Sequence, residues 1–167
     1  MNSKAAFESL VELHSGELFG YLWRLLGAEA EARDCLQDTF LRAYRAYARV
    51  QDFSHLRAWL YKIATNTART QLARNHRHER QTVALLEPLP SGERAVDLQV
   101  AERTQLAAVR RAVLALPQRQ RAALLLRKYQ ELEYAEIAAA LDCSESAASA
   151  NVYQALKKLR TSFQDED

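Results

Sequence analysis

The sequence is poor in the residues that interrupt helices or tie a small protein together by covalent links. It has only 4 Gly, 3 Pro and 2 Cys among 167 residues. Cys35 and Cys143 stand far apart with no second Cys near either, which excludes a disulfide framework and a CxxC zinc site. No apolar run approaches the roughly 20 residues that span a bilayer, and the N-terminus lacks a cleavable apolar segment. We therefore expect a cytoplasmic protein.

Strand-like alternation of apolar and polar residues is also missing. Long stretches rich in Ala, Leu, Arg and Glu dominate, and 49% of the residues are hydrophobic, which is enough to bury a core. The sequence predicts an all-α protein. Helical periodicity is lost over residues 81–100, which contain Pro88 and Pro90. This loss predicts a flexible linker between two small helical domains, residues 1–80 and 101–167.

The residue groups that catalysis needs are absent as well. None of the four His pairs with another at i+4, and no Gly-rich phosphate loop or GxSxG motif occurs. Asp34 and Asp38 lie one helical turn apart, but two carboxylates without a further ligand are weak evidence for a cation site. We expect no enzymatic activity, no cofactor and no bound metal.

Apolar residues at helical spacing predict helices in both domains. Gly27 ends the first helix, whose apolar face includes Leu13. Leu106 and Val109 belong to the apolar face of the first helix of the second domain. The predicted ranges are residues 5–26, 28–50, 56–80, 101–116 and 118–129, followed by a helix pair within residues 132–163.

The most basic part of the chain runs from Arg57 to Arg80, where six Lys or Arg accompany one acid, Glu79. The predicted helix here buries an apolar stripe and leaves Tyr61, Asn66 and the cations on the opposite side. Cations attract phosphates, and aromatic and amide groups stack on or hydrogen-bond to bases. This helix is a candidate nucleic-acid surface.

Residues 132–163 predict two helices joined by a tight turn. Asp142 tolerates a left-handed backbone, and Ser144 can cap the second helix. Ala148 and Val152 belong to a buried stripe on that helix, whose opposite face could lie in a major groove. An ordinary helical hairpin has the same apolar pattern, so the polar outer face is what favours DNA binding. That face holds Ser146, Ser149, Asn151, Tyr153, Gln154, Lys157 and Lys158.

The order of these features resembles bacterial RNA polymerase sigma factors of the extracytoplasmic-function (ECF) class. DCLQDTFLRAYRAY, residues 34–47, is similar to the family's clamp-binding helix, and LRAWLYKIATNTA, residues 56–68, to its promoter-melting segment. The second domain matches in the Leu-Pro before a helix, the Glu136-Ile137-Ala138 triplet and the terminal Leu-Arg. The resemblance implies an alternative sigma factor that binds core RNA polymerase, directs it to promoter DNA and assists promoter opening.

The resemblance also implies roles for individual residues. Three residues on one face of the second helix would contact core polymerase: Asp34, Gln37 and Asp38. From the residues alone, plain solvation explains that acidic face equally well. Capture and melting of the minus-ten element would fall to Asp52, Phe53, Ser54, Lys62, Asn66, Arg69, Arg74 and Arg77. The outer face of the last helix would read the minus-thirty-five element.

This chain departs from the family pattern at two places in the second domain. The family turn usually carries Gly where this chain has Asp142, and the recognition helix usually begins with a Thr-Val pair where this chain has Ala147 and Ala148. The basic residues that follow in the family are also missing, which shifts base reading to polar side chains.

Two other interpretations remain open at the level of sequence. The protein could be a free-standing helix-turn-helix regulator that binds an operator as a dimer and needs no polymerase. It could also be a helical interaction protein that has lost DNA binding, which the alanine-rich start of the recognition helix keeps open. An anti-sigma factor is a further partner that the resemblance allows.

Overall fold

The computed structural model describes residues 2–82 and 98–165, which form helices and turns. The all-α prediction is confirmed for this part of the chain. Residues 83–97 make up most of the predicted linker and lie outside the described residues, while its two ends belong to helices. The described helices are α1 Ser3–Leu26, α2 Glu29–Tyr47, α3 Leu56–Thr82, α4 Leu98–Leu114, α5 Gln118–Lys128, α6 Tyr134–Leu141 and α7 Glu145–Gln164.

The helix ends follow from local chemistry. α1 ends at Gly27, whose backbone is left-handed with φ of 83°, and whose N–H donates to the carbonyl of Trp23. The left-handed backbone favours glycine, and a Cβ at this position would also lie 2.9 Å from the end of the Leu114 side chain, which would have to move. Ser144 caps the start of α7, where its hydroxyl accepts the N–H of Ala147, as predicted. These signals explain why the predicted and observed ends agree closely.

Helices α1, α2 and α3 form the first unit and share a tightly packed interior. Tyr21 and Leu22 of α1, Cys35 of α2 and Leu60 of α3 are fully buried there. Burial raises the pKa of the Cys35 thiol to about 11, and therefore the thiol stays protonated at neutral pH. The hydroxyl of Thr39 is also buried but donates to the carbonyl of Cys35 at 2.7 Å, which satisfies it without breaking the helix.

Helices α4 to α7 form the second unit, with α5 at its centre. Leu124, Leu125 and Leu126 of α5 are buried against α6 and α7. The stripe predicted on α7 is confirmed, since Ala148 and Val152 are both buried. This arrangement leaves the opposite side of α7 on the outer surface of the protein.

The two units pack directly against each other, which the sequence did not predict. α3 contacts α6 and α1 contacts α5, so that one apolar cluster runs through both units. Arg121 of α5 is buried at this junction, and its guanidinium donates to the carbonyls of Leu25 in the first unit and of Leu114 and Leu116 in the second. Burial lowers the pKa of this guanidinium; the three carbonyls accept hydrogen bonds from its two terminal nitrogens, while its Nε is buried without a partner.

A second polar cluster crosses the junction between α3 and the turn after α5. Arg57 donates to both carboxylate oxygens of Glu17 and, at 2.7 Å, to the backbone carbonyl of Gln130. The Tyr61 hydroxyl donates to the side-chain oxygen of Gln130 at 2.9 Å. Burial raises the pKa of the Glu17 carboxyl, but the bonds from Arg57 and His14 outweigh it, so the pKa lies below the usual value. Glu17 is therefore the charged acceptor that fixes Arg57.

Several side chains do not lie where the sequence pattern predicted. Tyr61 was predicted on the open side of α3 and is fully buried, because its ring packs against Tyr21 of α1 and its hydroxyl meets Gln130 of the second unit. Leu13 was predicted on the buried face of α1 and is 74% exposed. Leu106 and Val109 are exposed as well, because α4 contacts its neighbours over only part of its apolar face.

Asp142, in the turn between α6 and α7, offers a test of the predicted backbone conformation. Its φ of 54° and ψ of 52° are left-handed, which costs other L-residues about 1 kcal/mol or more. Asp142→Gly is expected to raise the free energy of unfolding by about 0.5 kcal/mol, and Asp142→Ala to lower it by about 1 kcal/mol. Urea unfolding followed by circular dichroism measures both. Ala139→Gly, at an exposed position within α6, is the control and should destabilise the protein. If Asp142→Gly destabilises it equally, the backbone of Asp142 is not strained.

Candidate functional site

The exposed side of α2 carries a compact acidic face, defined by Asp34, Gln37 and Asp38. Asp34 and Gln37 point to solvent, and Asp38 is half-exposed with Arg42 at 3.5 Å. The side chains below, including Ala32 and Cys35, are buried, so α2 presents this face on a rigid support. All three predicted residues thus come together on one accessible surface.

An exposed leucine extends the acidic face, and sequence reasoning missed it. Leu41 is 56% exposed and lies one helical turn beyond Gln37 and Asp38. Tyr44, one turn further, was predicted on the buried side; its ring packs against Phe7 at 5.2 Å between centroids, yet it remains half-exposed. The sequence did contain a signal for the exposure of Leu41, because this leucine falls outside the apolar stripe predicted on α2. Carboxylates beside apolar groups are suited to a protein partner.

The loop before α3 is held in a defined shape. The Asp52 carboxylate accepts the backbone N–H of Ser54 at 2.9 Å and also the Ser54 hydroxyl. These hydrogen bonds keep the pKa of Asp52 below its usual value. Phe53 is 52% exposed, with its ring edge against Tyr47. The loop therefore presents an aromatic ring and hydrogen-bonding groups to solvent.

Helix α3 follows this loop and presents the predicted cations and Asn66 along its length. Asn66 is half-buried, and its side-chain oxygen accepts a hydrogen bond from Arg69 at 3.0 Å. The side chain can therefore be oriented by its neighbour before any ligand binds. The cations on exposed positions of α3 are Lys62, Arg69, Arg74 and Arg77.

The second unit lies against the part of α3 that carries Asn66. Asn66 and Arg69 line one cavity with residues of α5 and α6, among them Arg119, Ala122 and Leu141. The predicted minus-ten residues are thus divided between an open stretch of α3 and a stretch that faces the second unit.

The outer face of α7 is open to solvent over its predicted length. Tyr153 is 60% exposed and stands with Ser149 beside Tyr134 of α6, so that a shallow groove runs between the two helices. The remaining exposed residues of the predicted reading face are Ser146, Gln154, Lys157 and Lys158. Asn151 differs from them: it is half-buried, and its side-chain amide donates to the carbonyl of Ala147 at 3.0 Å.

The structure gives no sign of a metal cluster or a membrane span in the residues it describes. Across residues 2–82 and 98–165, no three His, Cys, Asp or Glu side chains lie close enough to hold a metal ion. No helix in those ranges is long and apolar enough to cross a bilayer.

Two family descriptions match the two units separately. Sigma-70 region 2 matches residues 10–78, which cover α1, α2 and most of α3. Sigma-70, region 4 matches residues 106–159, which run from α4 through most of α7. The fold and the matches therefore define a sigma factor of RNA polymerase.

Curated relatives match along almost the whole chain. RNA polymerase sigma-H factor of Pseudomonas aeruginosa is 30% identical over 96% of this chain and 88% of its own length. RNA polymerase sigma factor YlaC of Bacillus subtilis is 30% identical over 100% of this chain and 99% of its own. ECF RNA polymerase sigma factor SigG of Mycobacterium tuberculosis is 33% identical over 93% of this chain, which spans 48% of SigG.

Solved structures of sigma factors share the fold. The sigma factor RpoE, crystallised with the anti-sigma factor NepR from Bartonella quintana, has a TM-score of 0.74 at 22% identity, covering 95% of this chain and 97% of that one. CnrH, in complex with the cytosolic domain of CnrY, has a TM-score of 0.68 at 23% identity, covering 98% and 91%.

The chain belongs to the ECF class of RNA polymerase sigma factors, which confirms the resemblance drawn from the sequence. It binds core RNA polymerase and directs it to promoter DNA. Sigma factors are transcription initiation factors without an enzymatic activity of their own. These matches favour this reading over a free-standing regulator or an interaction protein without DNA binding.

Proposed function

We propose that three surfaces of this chain divide the work of promoter recognition. The acidic face of α2 contacts core polymerase, the loop before α3 and its basic side capture and open the minus-ten element, and α7 reads the minus-thirty-five element. The observation that carries this proposal is that the acidic face, Phe53, the cations of α3 and most of the reading face of α7 are exposed, while Asn66 and Asn151 are half-buried. The first domain is residues 1–80, the linker 81–100 and the second domain 101–167. The protein acts in the cytoplasm and is not an enzyme.

At the minus-ten element the proposed mechanism is capture of an unpaired base. Unpairing costs a few kcal/mol per base, and a pocket that holds the flipped base offsets this cost. Asn66 supplies amide donors and an acceptor suited to a base edge. Phe53 supplies an exposed ring for stacking, and Lys62 and Arg74 supply charge for the backbone.

At the minus-thirty-five element the front of α7 carries no cation, so base reading rests on polar side chains. Tyr153 and Gln154 are exposed to solvent, whereas the Asn151 side chain already donates one amide hydrogen to the Ala147 carbonyl. Gln suits adenine, because its amide matches both the acceptor and the donor of that base. Lys157 and Lys158 lie two turns or more from the front of the helix and hold phosphates. We place base choice mainly on Tyr153 and Gln154.

Gln154→Ala is expected to weaken discrimination at one base pair of the minus-thirty-five element by about tenfold, because one good base contact is worth about 1–3 kcal/mol. Transcription from a set of promoters randomised over that element measures this effect. Lys158→Ala is the matched control, and it should lower activity similarly on all sequences and reduce the salt dependence. If Gln154→Ala behaves like Lys158→Ala, Gln154 reads no base.

An anti-sigma factor is proposed as a further partner, because RpoE of the Bartonella complex carries one on the same fold.

The decisive test of the whole proposal is in-vitro transcription with core polymerase on a library of genomic fragments. Transcripts that start only when this protein is added support a promoter-directing role. Tight, specific binding of the isolated protein to duplex DNA, without new starts, would instead support a free-standing regulator.

A further inference from the structure

The solvent-facing side of α1 carries two large apolar side chains with two glycines between them. Leu13 is 74% exposed and Trp23 is 41% exposed, and Gly16 and Gly20 lie between them on the same side of the helix. Leu18, at the middle of this segment, is fully buried and points to the opposite side. Leu13, Gly16, Gly20 and Trp23 together form what we call the open stripe of α1.

Neither glycine of the open stripe is required by the fold of a single copy. A Cβ added at Gly16 would meet nothing within 4 Å, and one added at Gly20 would meet only the flexible end of Arg24, at 3.1 Å. Glycine inside a helix is nonetheless less stable than alanine. What both glycines provide is a surface on which a second helix can approach the backbone of α1 closely.

The Trp23 end of the open stripe borders an apolar cavity of about 260 Å³ between α1, α4 and α5. Its walls include the exposed side chains of Leu106 and Val109 and the buried side chain of Leu125. Leu13 projects from the other end of the stripe, about 15 Å further along the helix. One copy of the chain therefore offers both a projecting leucine and an apolar cavity that can accept one.

Two residues of opposite charge flank the open stripe. Glu12 precedes Leu13 and Arg24 follows Trp23, and both are exposed. Among residues 2–82 and 98–165, neither forms an ion pair. They lie about 18 Å apart along α1, which is too far for them to pair within one copy. Both charges are therefore available to a partner.

These features are symmetric about the level of Leu18. Each has its counterpart at the same number of residues on the other side: Gly16 and Gly20 at two, Leu13 and Trp23 at five, Glu12 and Arg24 at six. A two-fold axis at this level relates two antiparallel copies of α1, and under such an axis every contact occurs twice. A second copy thus supplies all of these counterparts at once.

We propose that the open stripe is a self-association surface, and that its partner is a second copy of this chain with the two α1 helices antiparallel. Gly16 then lies beside Gly20 of the second copy, so that the helices approach closely. Leu13 enters the cavity at Trp23 of the second copy. Glu12 pairs with Arg24 of the second copy at the edge of the contact.

The proposed dimer is weak and concerns the free protein. The open stripe spans about three helical turns, which is less than a standard interface of about 1,600 Å², so we expect a dissociation constant of about 10–100 µM. At nanomolar concentrations the protein is a monomer, and Glu12 then has no influence on a titration of core polymerase. The inference does not rest on the proposed function, because α1 carries none of the three proposed surfaces. A dimer does not make the chain a free-standing regulator, since that function also requires operator binding without polymerase.

Sedimentation velocity of the full-length protein at increasing concentration tests self-association. The mass should rise from 19.0 kDa towards twice that value as the concentration passes the dissociation constant. Gly16→Gln is expected to weaken the dimer at least about tenfold and yet to raise the unfolding temperature of the monomer, because glutamine favours the helix but keeps the two backbones apart. These opposite effects cannot result from misfolding. Ala30→Gln, at an exposed position of α2, is the matched control and should leave the dimer unchanged.

An exchange of the two charges tests the antiparallel arrangement. Glu12→Arg and Arg24→Glu should each weaken the dimer about tenfold at low ionic strength, because each places like charges opposite each other twice. The double variant Glu12→Arg/Arg24→Glu restores opposite charges and should return to within about threefold of wild type. Since the two residues cannot pair within one copy, such a recovery can arise only between copies. Loss of the contact between Arg24 and Tyr129 is common to the single and the double variant, so it cannot explain the recovery.

Each result decides part of the proposal. A mass of 19.0 kDa at every concentration would overturn the dimer and would leave the open stripe to a different protein. A dimer that Gly16→Gln does not weaken would show that the copies associate through another surface. A charge exchange that fails to restore the dimer would rule out the antiparallel arrangement. Concentration-dependent mass, loss in Gly16→Gln and recovery in the double variant together establish the open stripe as the self-association surface.

Discussion

The double variant Asp34→Lys/Asp38→Lys is expected to bind core RNA polymerase about 100-fold more weakly, because it reverses both charges of the acidic face. The two side chains lie one helical turn apart on an exposed face, so both would meet the same partner surface. Each reversal replaces attraction with like-charge repulsion, which costs at least about 1.4 kcal/mol, or tenfold, for each residue. The effect should shrink as salt is raised, because the face is solvent-exposed.

Titration of labelled core polymerase at several salt concentrations measures this prediction. Glu8→Lys/Glu12→Lys is a closely matched control, because these carboxylates are also exposed and also four residues apart, but on α1. Both double variants should unfold at temperatures close to that of wild type. Equal affinities for the two double variants would show that net charge, and not the acidic face, governs binding.

Asn66→Ala is expected to reduce transcription from a duplex promoter about 30-fold and from a pre-melted promoter about twofold. A base-reading amide contributes about 1–3 kcal/mol when its partner leaves the stack. A pre-melted template already has the base unpaired, so the loss of Asn66 then removes contact but no longer limits opening. The Asn66 side chain also holds Arg69, which adds to the loss on duplex DNA.

The comparison needs both templates with the same sequence, one of them carrying a mismatched bubble over the minus-ten element. Thr70→Ala is the control, since Thr70 lies one turn further on α3, is exposed, and bonds only the backbone carbonyl of Asn66. It should leave both templates almost unaffected. If Asn66→Ala lowers transcription equally on both templates, Asn66 has no role in capturing the base.

The helices could be read from the sequence because their signals are local. Gly27, Asp142 and Ser144 adopt the conformations that their chemistry favours, and the 3.6-residue spacing of apolar side chains determines which face of α7 is buried. The acidic face could be predicted for the same reason, since exposure on an isolated amphipathic helix follows from its pattern.

The junction between the units could not be read in this way. Tyr61 and Arg57 fall on the side of α3 away from its apolar stripe, and nothing in the spacing shows that Gln130, 69 residues after Tyr61, will meet them. The hydrogen bond from the Asn151 amide to the Ala147 carbonyl could not be read either, because a side chain that bonds to its own helix leaves no mark on the apolar periodicity. Contacts between distant segments determine which part of the proposed minus-ten surface on α3 the second unit covers.

Hydrogen bonds across the junction end mainly on the main chain. Arg121 donates to the carbonyl of Leu25, Arg110 to that of Gly27 and Arg57 to that of Gln130. A main-chain acceptor is present whatever side chain the residue carries, so most substitutions at the accepting positions leave these bonds intact. One unit can therefore change its surface sequence, and with it its promoter preference, while its fit to the other unit is preserved. Hybrid sigma factors that exchange whole units should fold with this junction in place if they keep the three arginines and the helix ends.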